Sequence, residues 1–393
     1  MLFRARTVLP VTAAPIDGGM VRIEGGRIVE VGVGLDGVVT DLGDVTLLPG
    51  LVNAHTHLEL SLCERGPSPA GGFVEWVVGL RARSKLDGTN DPLHAAQAIR
   101  RGVAESMAHG VTCVGDITRL PRLTRPTLAA APTRSVSYGE VLAPSAKAHL
   151  ADAQVAAAID DAHASDRLTV GISPHAPYSV ERAGWEACMA TGLPMSTHLA
   201  ELTEEAEYVR GRTGPFEDLI KQLGGWADGL PTFDGSPVAF AASIGLLEKS
   251  AVLAHVNYVD DADLDRLAAG NSSVAFCPRT HAFFGHPPHR WREMLDRGIN
   301  VCLGTDSRAS SPDLDLRAEC RLLRGQADDA TLLRLVTLNA ADALGVEAGR
   351  IAPGAHADLI AVAGDVFDGA VVGRWVGGMS AEADKPDSFS PES

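Results

Sequence analysis

The chain has 393 residues, 45% of them apolar and 21% charged, which suits one large buried core with a smaller attachment. Its formal charge of −16 argues against nucleic acid or an anionic membrane as partner, because both are held by basic surfaces. An anionic small molecule stays open, since it meets only local charge.

Arg4 and Arg6 precede a mildly apolar stretch, as in an export signal. Pro10 and Pro15 interrupt it, and the alternating Val21-Arg22-Ile23-Glu24 follows, so export is rejected. To about Asp44 the pattern is one of short strands punctuated by Gly18-Gly19, Gly25-Gly26 and Gly32-Val33-Gly34. Segments 357–362 and 373–376 have the same character. Neither end can bury a core alone. Residues 1–46 and 350–379 are therefore expected to form one composite β-sandwich around a catalytic unit at 47–349.

Within 47–349, eight apolar runs alternate with helical segments, the sign of a parallel sheet. The runs are 47–54, 111–115, 134–138, 168–172, 194–197, 251–254, 273–276 and 300–303. At or just past their ends stand His55 and His57, Asp116, Glu140, His175, His198, His255, Arg279 and Asp306. Side chains alternate along a strand, so the two His of His55-Thr56-His57 point the same way. A ring of ligands and acid–base groups at one end of a sheet is how a (β/α)₈ barrel of the TIM type builds its active site, at the C-terminal face of its strands. The fold class expected is α/β, a metallo-hydrolase barrel with the small sandwich attached.

Helices are expected at 91–108 (Asn90 as cap, Gly110 as stop), 148–164, 203–212, 260–270 and 328–344. The stretch 59–89 is too long for an ordinary connection, and its Phe73 and Trp76 either cover a flat substrate or pack on the barrel rim. Residues 380–393, mostly Ser, Pro, Asp and Glu, are expected to be a disordered tail. The six Cys form no C-x-x-C pair and several lie in apolar strands, so reduced thiols and a cytoplasmic location are expected. No run approaches the ~20 apolar residues of a spanning helix, and no membrane association is expected.

His55, His57, His198 and Asp306 supply three imidazoles and a carboxylate. That donor set suits one divalent ion such as Zn²⁺, with Fe²⁺ or Mn²⁺ as alternatives and a water completing the shell. The reading requires His198 and Asp306 to lie within about 6 Å of the His55/His57 pair, given bonds of ~2 Å to such an ion. Glu201, three residues past His198 at a helix start, is within reach. The helix terminus favours its carboxylate and burial its neutral acid, so its charge stays open. Arg279 offers a fork for a carboxylate or phosphate, with Arg65, Arg81 and Arg308 as competitors. The His run 281–289 is unsuited to a second metal, because Pro287-Pro288 spoils helical ligand spacing.

Five stretches carry a resemblance to the amidohydrolase superfamily over nearly the whole chain. They are 48–57 (LPGLVNAHTH), 173–178 (SPHAPY), 197–201 (THLAE), 254–257 (AHVN) and 303–307 (LGTDS). The resemblance implies the barrel and sandwich, and is greatest to the branch that deaminates or dechlorinates aromatic nitrogen rings. The fourth strand ends in Ser173-Pro174-His175 without the Lys that binuclear members carboxylate, so a single ion is implied. By the same resemblance the catalytic residues are Asp306, which takes a proton from the attacking water, Glu201, which protonates the ring nitrogen, and His255, which stabilises charge.

With 58–61 (LELS) and 73–76 (FVEW), the stretch 277–289 resembles aminofutalosine deaminases of the menaquinone pathway. That implies a purine nucleoside partner, aminofutalosine, converted to futalosine and ammonia. His175 and Glu140 would then contact purine or ribose and Arg279 the carboxylate. Adenosine-type or S-adenosylhomocysteine deaminases, guanine deaminase and chlorotriazine hydrolases are the alternatives on this fold. A non-catalytic metal-binding barrel is the alternative outside enzymes, but metal binding alone needs neither Glu201 nor His255. A homodimer is one assembly open to such a barrel.

Overall fold

The computed structural model describes residues 1–67, 72–84 and 91–381. Eight parallel strands form the central sheet, in sequence order around it: Leu51–Thr56, Val111–Thr118, Arg134–Val141, Leu168–Pro174, Met195–Leu199, Ala251–His255, Ser273–Phe276 and Val301–Leu303. Nearly every residue of these strands is buried, as expected where helices cover one face and the barrel interior the other.

The last strand returns to the first. Asn53 Nδ2 donates to Thr305 Oγ1 (2.8 Å), Thr305 N donates to Asn53 Oδ1 (3.1 Å), and Asp306 N donates to the His55 carbonyl (3.0 Å). Gly304 is required at this seam, because a Cβ there would lie 2.8 Å from the His55 Cβ and carbonyl oxygen. The seam therefore brings Asp306 beside the His55-Thr56-His57 strand.

The apolar run 47–54, expected as one strand, is two. Thr46–Pro49 pairs with Leu359–Ala363 and Thr7–Val8 in a six-stranded sheet, and only Leu51–Thr56 enters the barrel. The break falls at Gly50, where a Cβ would stand 2.0 Å from Thr112 Oγ1. A four-stranded sheet of Leu2–Arg4, Met20–Glu24, Arg27–Gly32 and Thr40–Asp41 shares an apolar core with the six-stranded one. The buried pair Arg134–Asp358, 2.9 Å apart, ties these terminal strands to the barrel.

Two helices differ from expectation. The segment 148–164 is a 3₁₀ stretch, Ser145–Leu150, and a short helix, Ala151–Ala158. It stops where Asp160 turns to take Arg122 Nε (2.9 Å) on its carboxylate and Arg125 Nη1 (2.7 Å) on its carbonyl. The segment 328–344 divides into Asp329–Leu335 and Leu338–Leu344, since the Val336 carbonyl leaves the helix to accept the Val52 N–H at 2.8 Å.

Pro92–Ala108 is capped by Asp91, whose side chain accepts Leu93 N; Asn90, the expected cap, lies outside the described residues. So do 382–393, and with them most of the expected tail. The stretch 59–89 contains the helix Phe73–Ser84. Among the described residues no helix is long and apolar enough to cross a membrane.

Candidate metal centre and substrate cavity

A cavity of about 500 Å³ opens at the C-terminal end of the barrel strands, lined by His57, His198, Glu201, His255 and Asp306 at its floor. His198 is fixed by its own strand neighbour: both its backbone N–H (2.9 Å) and its Nδ1 (3.1 Å) reach the His175 carbonyl. That leaves His198 Nε2 facing His57 Nε2 at 3.2 Å. Asp306 Oδ1 lies 3.9 Å from His55 Nε2 and 3.7 Å from His57 Nε2. The four groups thus meet the 6 Å requirement.

Asp306 is itself oriented, its Oδ1 accepting Ser307 N (2.7 Å) and its Oδ2 accepting Ser310 Oγ (3.1 Å). Asp306 (φ 56°) and His255 (φ 72°) both adopt left-handed backbone conformations just where their strands end. Such a conformation costs a non-Gly residue roughly 1–2 kcal/mol, and strain of this kind concentrates at functional sites.

The donors fit a metal ion. His55 is fully buried, yet neither of its ring nitrogens has a hydrogen-bond partner. An unpaired buried polar group is costly unless something else satisfies it. Two nitrogens bound to one tetrahedral Zn²⁺ at ~2.0–2.1 Å stand roughly 3.3 Å apart, close to the His57–His198 spacing. Glu140, His175 and His198 form a second cluster of ligand atoms within 4.8 Å of one another. His198 has one nitrogen left to give, however, so the two clusters compete for a single lone pair and do not make two sites.

Glu201 Oε1 lies 3.6 Å from His255 Nε2, with both side chains buried. Burial, then the charges of Asp306 and Glu205, raise the Glu201 carboxyl well above the usual carboxylate range. The residue is thereby set up to carry a proton. Burial likewise holds His255 well below the ordinary imidazole value, so it is neutral.

Farther out, Glu140 is buried with its Oε1 3.9 Å from His175 Nε2, while His175 Nδ1 meets Ser179 Oγ at 2.6 Å. Burial, then the Glu59 charge, pushes Glu140 up to about 8. Both residues line the cavity. Phe73 and Trp76 also line it, packed with Phe284 at ring separations of 5.5 and 5.1 Å.

Arg279 does not take part. Its Nε donates to Glu319 Oε1 (2.6 Å), its Nη1 to Asp313 Oδ1 (2.6 Å), and its Nη2 to the carbonyls of Asp313 (3.0 Å) and Asp315 (3.1 Å). The fork expected for a substrate carboxylate is filled by the protein's own acids and carbonyls, and Arg279 is absent from the cavity lining. Of its competitors, Arg308 pairs with Glu105 at 2.5 Å and Arg65 lies over the Phe283 ring at 5.7 Å. Arg81 does line the cavity, together with Arg119 and Lys147.

Arg119 escaped notice because its strand runs on to Thr118, past the expected end at Gly115. Asp116 is inside that strand, accepting Leu58 N at 2.8 Å, and the true exit residue is Arg119. Lys147 and the apolar wall of Leu219, Ile220 and Leu223 lie on connections whose approach to the barrel mouth no local pattern announces.

Replacing Arg279 with Met is expected to lower stability by about 3–5 kcal/mol, since Glu319 would be left buried and unpaired. The KM of the folded fraction should be unchanged. Thermal melts and steady-state kinetics check both, and a tenfold rise in KM with unchanged melting would restore a substrate role.

Residues 46–380 match the Amidohydrolase family. A 5-methylthioadenosine/S-adenosylhomocysteine deaminase of Haloarcula marismortui is 28% identical, over 82% of this chain and 74% of its own. An aminodeoxyfutalosine deaminase of Deinococcus radiodurans is 29% identical, over 71% of this chain and 68% of its own. Among solved structures, a zinc-bound adenosine deaminase from Xanthomonas campestris superposes with a TM-score of 0.78 at 22% identity, covering 97% of this chain and 93% of that one.

Proposed function

The chain belongs to the amidohydrolase family, and we propose that it hydrolyses the exocyclic amine from the adenine ring of 6-amino-6-deoxyfutalosine, giving futalosine and ammonia. Hydrolytic deamination at carbon is the chemistry its relatives share, and adenine nucleosides are the substrates in their names. The observation that carries the reading is the Glu201–His255 pair, buried 3.6 Å apart at the cavity floor beside the imidazole cluster.

His55, His57, His198 and Asp306 would hold one divalent ion, for which Zn²⁺ suits the donor set. Bound there, such an ion makes hydroxide accessible near neutral pH by lowering the pKa of a water. Asp306 accepts the proton that the attacking water loses. Glu201 delivers a proton to the ring nitrogen beside the attacked carbon, where negative charge builds as the aromatic bond opens. His255, neutral and within reach of Glu201, steadies the nucleophile's charge. The proton held by Asp306 then passes to the amine, the C–N bond breaks to release ammonia, and the hydroxyl proton returns to Glu201 as the carbonyl forms.

Glu140 and His175, which also line the cavity, are placed for purine or ribose polar atoms. The aromatic wall of Trp76, Phe284 and Tyr178 suits a flat ring, and Arg81, Arg119 and Lys147 supply positive charge for a distal carboxylate. The same three cations favour a second reading, S-adenosylhomocysteine, whose amino-acid end is also a carboxylate.

Ammonia release from a panel of adenine nucleosides separates the two. Aminodeoxyfutalosine is expected to show a kcat/KM at least about tenfold above adenosine and S-adenosylhomocysteine, the value of roughly 1.4 kcal/mol of selective binding. A tenfold preference for either competitor removes the futalosine assignment. Silence across the whole panel removes adenine deamination.

A further inference from the structure

We infer that Glu205 is a positioning residue, whose carboxylate grips the backbone just before its helix and so keeps Glu201 aimed at the reacting ring. The inference rests on the acid role proposed for Glu201. Glu205 has no solvent exposure. Its Oε1 accepts the N–H of Ala200 at 3.0 Å and its Oε2 the N–H of Glu201 at 2.9 Å. One carboxyl group thus spends both oxygens on two successive amides.

The turn is held from its other side by the next strand exit. Asn257 Nδ2 donates to the Glu201 carbonyl at 3.0 Å, and Tyr258 N donates to the Ala200 carbonyl at 3.0 Å. Ala200 is kept in a left-handed conformation, φ 50°, which an Ala leaves readily unless its neighbours over-determine it. The clamp fixes the direction in which the chain leaves His198, and with it the direction of the Glu201 side chain.

An ordinary helix cap would look different. Glu205 is the third residue of the helix Thr203–Gly211, and from there a Glu commonly reaches back to the N–H of the cap residue, here Leu202. This carboxyl also feels the Leu202 N–H, but its two hydrogen bonds go to the two residues before the cap. It therefore holds the segment between His198 and the helix as well as the helix start.

Glu205→Gln separates the two roles, because its amide nitrogen must face one of the two backbone N–H groups and break that bond. The folded, metal-loaded variant is expected to lose about 10²-fold in kcat, the scale of a 1 Å misplacement, with KM within about threefold. In a Glu201→Gln background the same change should cost less than about threefold, since a missing acid needs no aiming. Hydrogen exchange of the peptide covering 199–202 should rise in Glu205→Gln, a readout that needs no substrate. Glu205→Asp, which keeps the carboxyl but retracts it by one methylene, serves if the Gln variant does not fold, with the same cycle and exchange measurement.

An undiminished kcat cost in the Glu201→Gln background overturns the inference, as does unchanged exchange across 199–202. Failure of the deaminase reading is seen separately, as wild-type protein that releases no ammonia while the exchange difference persists.

Discussion

Glu201→Gln is expected to lower kcat by about 10²–10⁴-fold, the usual contribution of a placed general acid, while metal content stays at the wild-type level. Gln keeps the size of the side chain and a polar contact with His255, 3.6 Å away, but has no proton to give. Glu201 is outside the His55, His57 and His198 cluster, so the ion should be retained. KM should move little, because the lost interaction belongs to the transition state. The raised carboxyl also sets the sign of the pH dependence: turnover falls on the alkaline side, as Glu201 gives up its proton. Steady-state kinetics with elemental analysis of the same sample decide, and wild-type turnover in this variant removes Glu201 from the mechanism.

Extraction of the ion is expected to reduce ammonia release to background, and Zn²⁺ to restore it. Protein purified without added metal, analysed for Zn, Fe and Mn, identifies the resident ion. Acid should be an inefficient way to strip it. Protons compete with a metal for imidazole lone pairs. Burial lowers His198 to about 4, and burial first, then neighbouring His, lowers His55 and His57 well below 6.5. Half-loss is therefore expected below about pH 5, not near the ordinary imidazole value of about 6.5.

The imidazoles' contribution to apo stability should fall over the same range, because unfolded imidazoles take up protons from about pH 6.5 downward while the folded ones resist. The raised carboxyls of Asp306, at about 6, and Glu140, at about 8, act in the opposite direction. Metal content after gel filtration across pH, and apo melting curves, test both signs. Loss of the ion already near pH 6.5 would mean that the imidazoles are hydrated, contrary to the buried His55. Full turnover after complete extraction would place the ion outside the chemistry.

Much of the cavity floor was legible before any fold was known. His55, His57, His198, His255 and Asp306 each close a short apolar run, and strand exits in a parallel barrel face one cavity. The structure places all five together. Less legible were features that depend on where a strand stops. Val111–Thr118 continues three residues past its expected end, which turned Asp116 into a buried acceptor and made Arg119 the exit residue. The run 47–54 is uniformly apolar, and only the crowding of Gly50 against Thr112 shows that two sheets share it.

Arg279 marks the boundary between the two kinds of information. Strand period and residue type act over a few positions, so the chain alone specifies which end of each strand bears a His or an Asp. A long guanidinium side chain chooses among every acceptor within its reach. Its acceptors, Asp313 and Glu319, come from residues 34 and 40 positions along, brought there by packing. Local pattern thus determined the candidate ligands and acid, and tertiary contact decided which cations face the cavity, because charge pairing between distant segments has no periodicity to read.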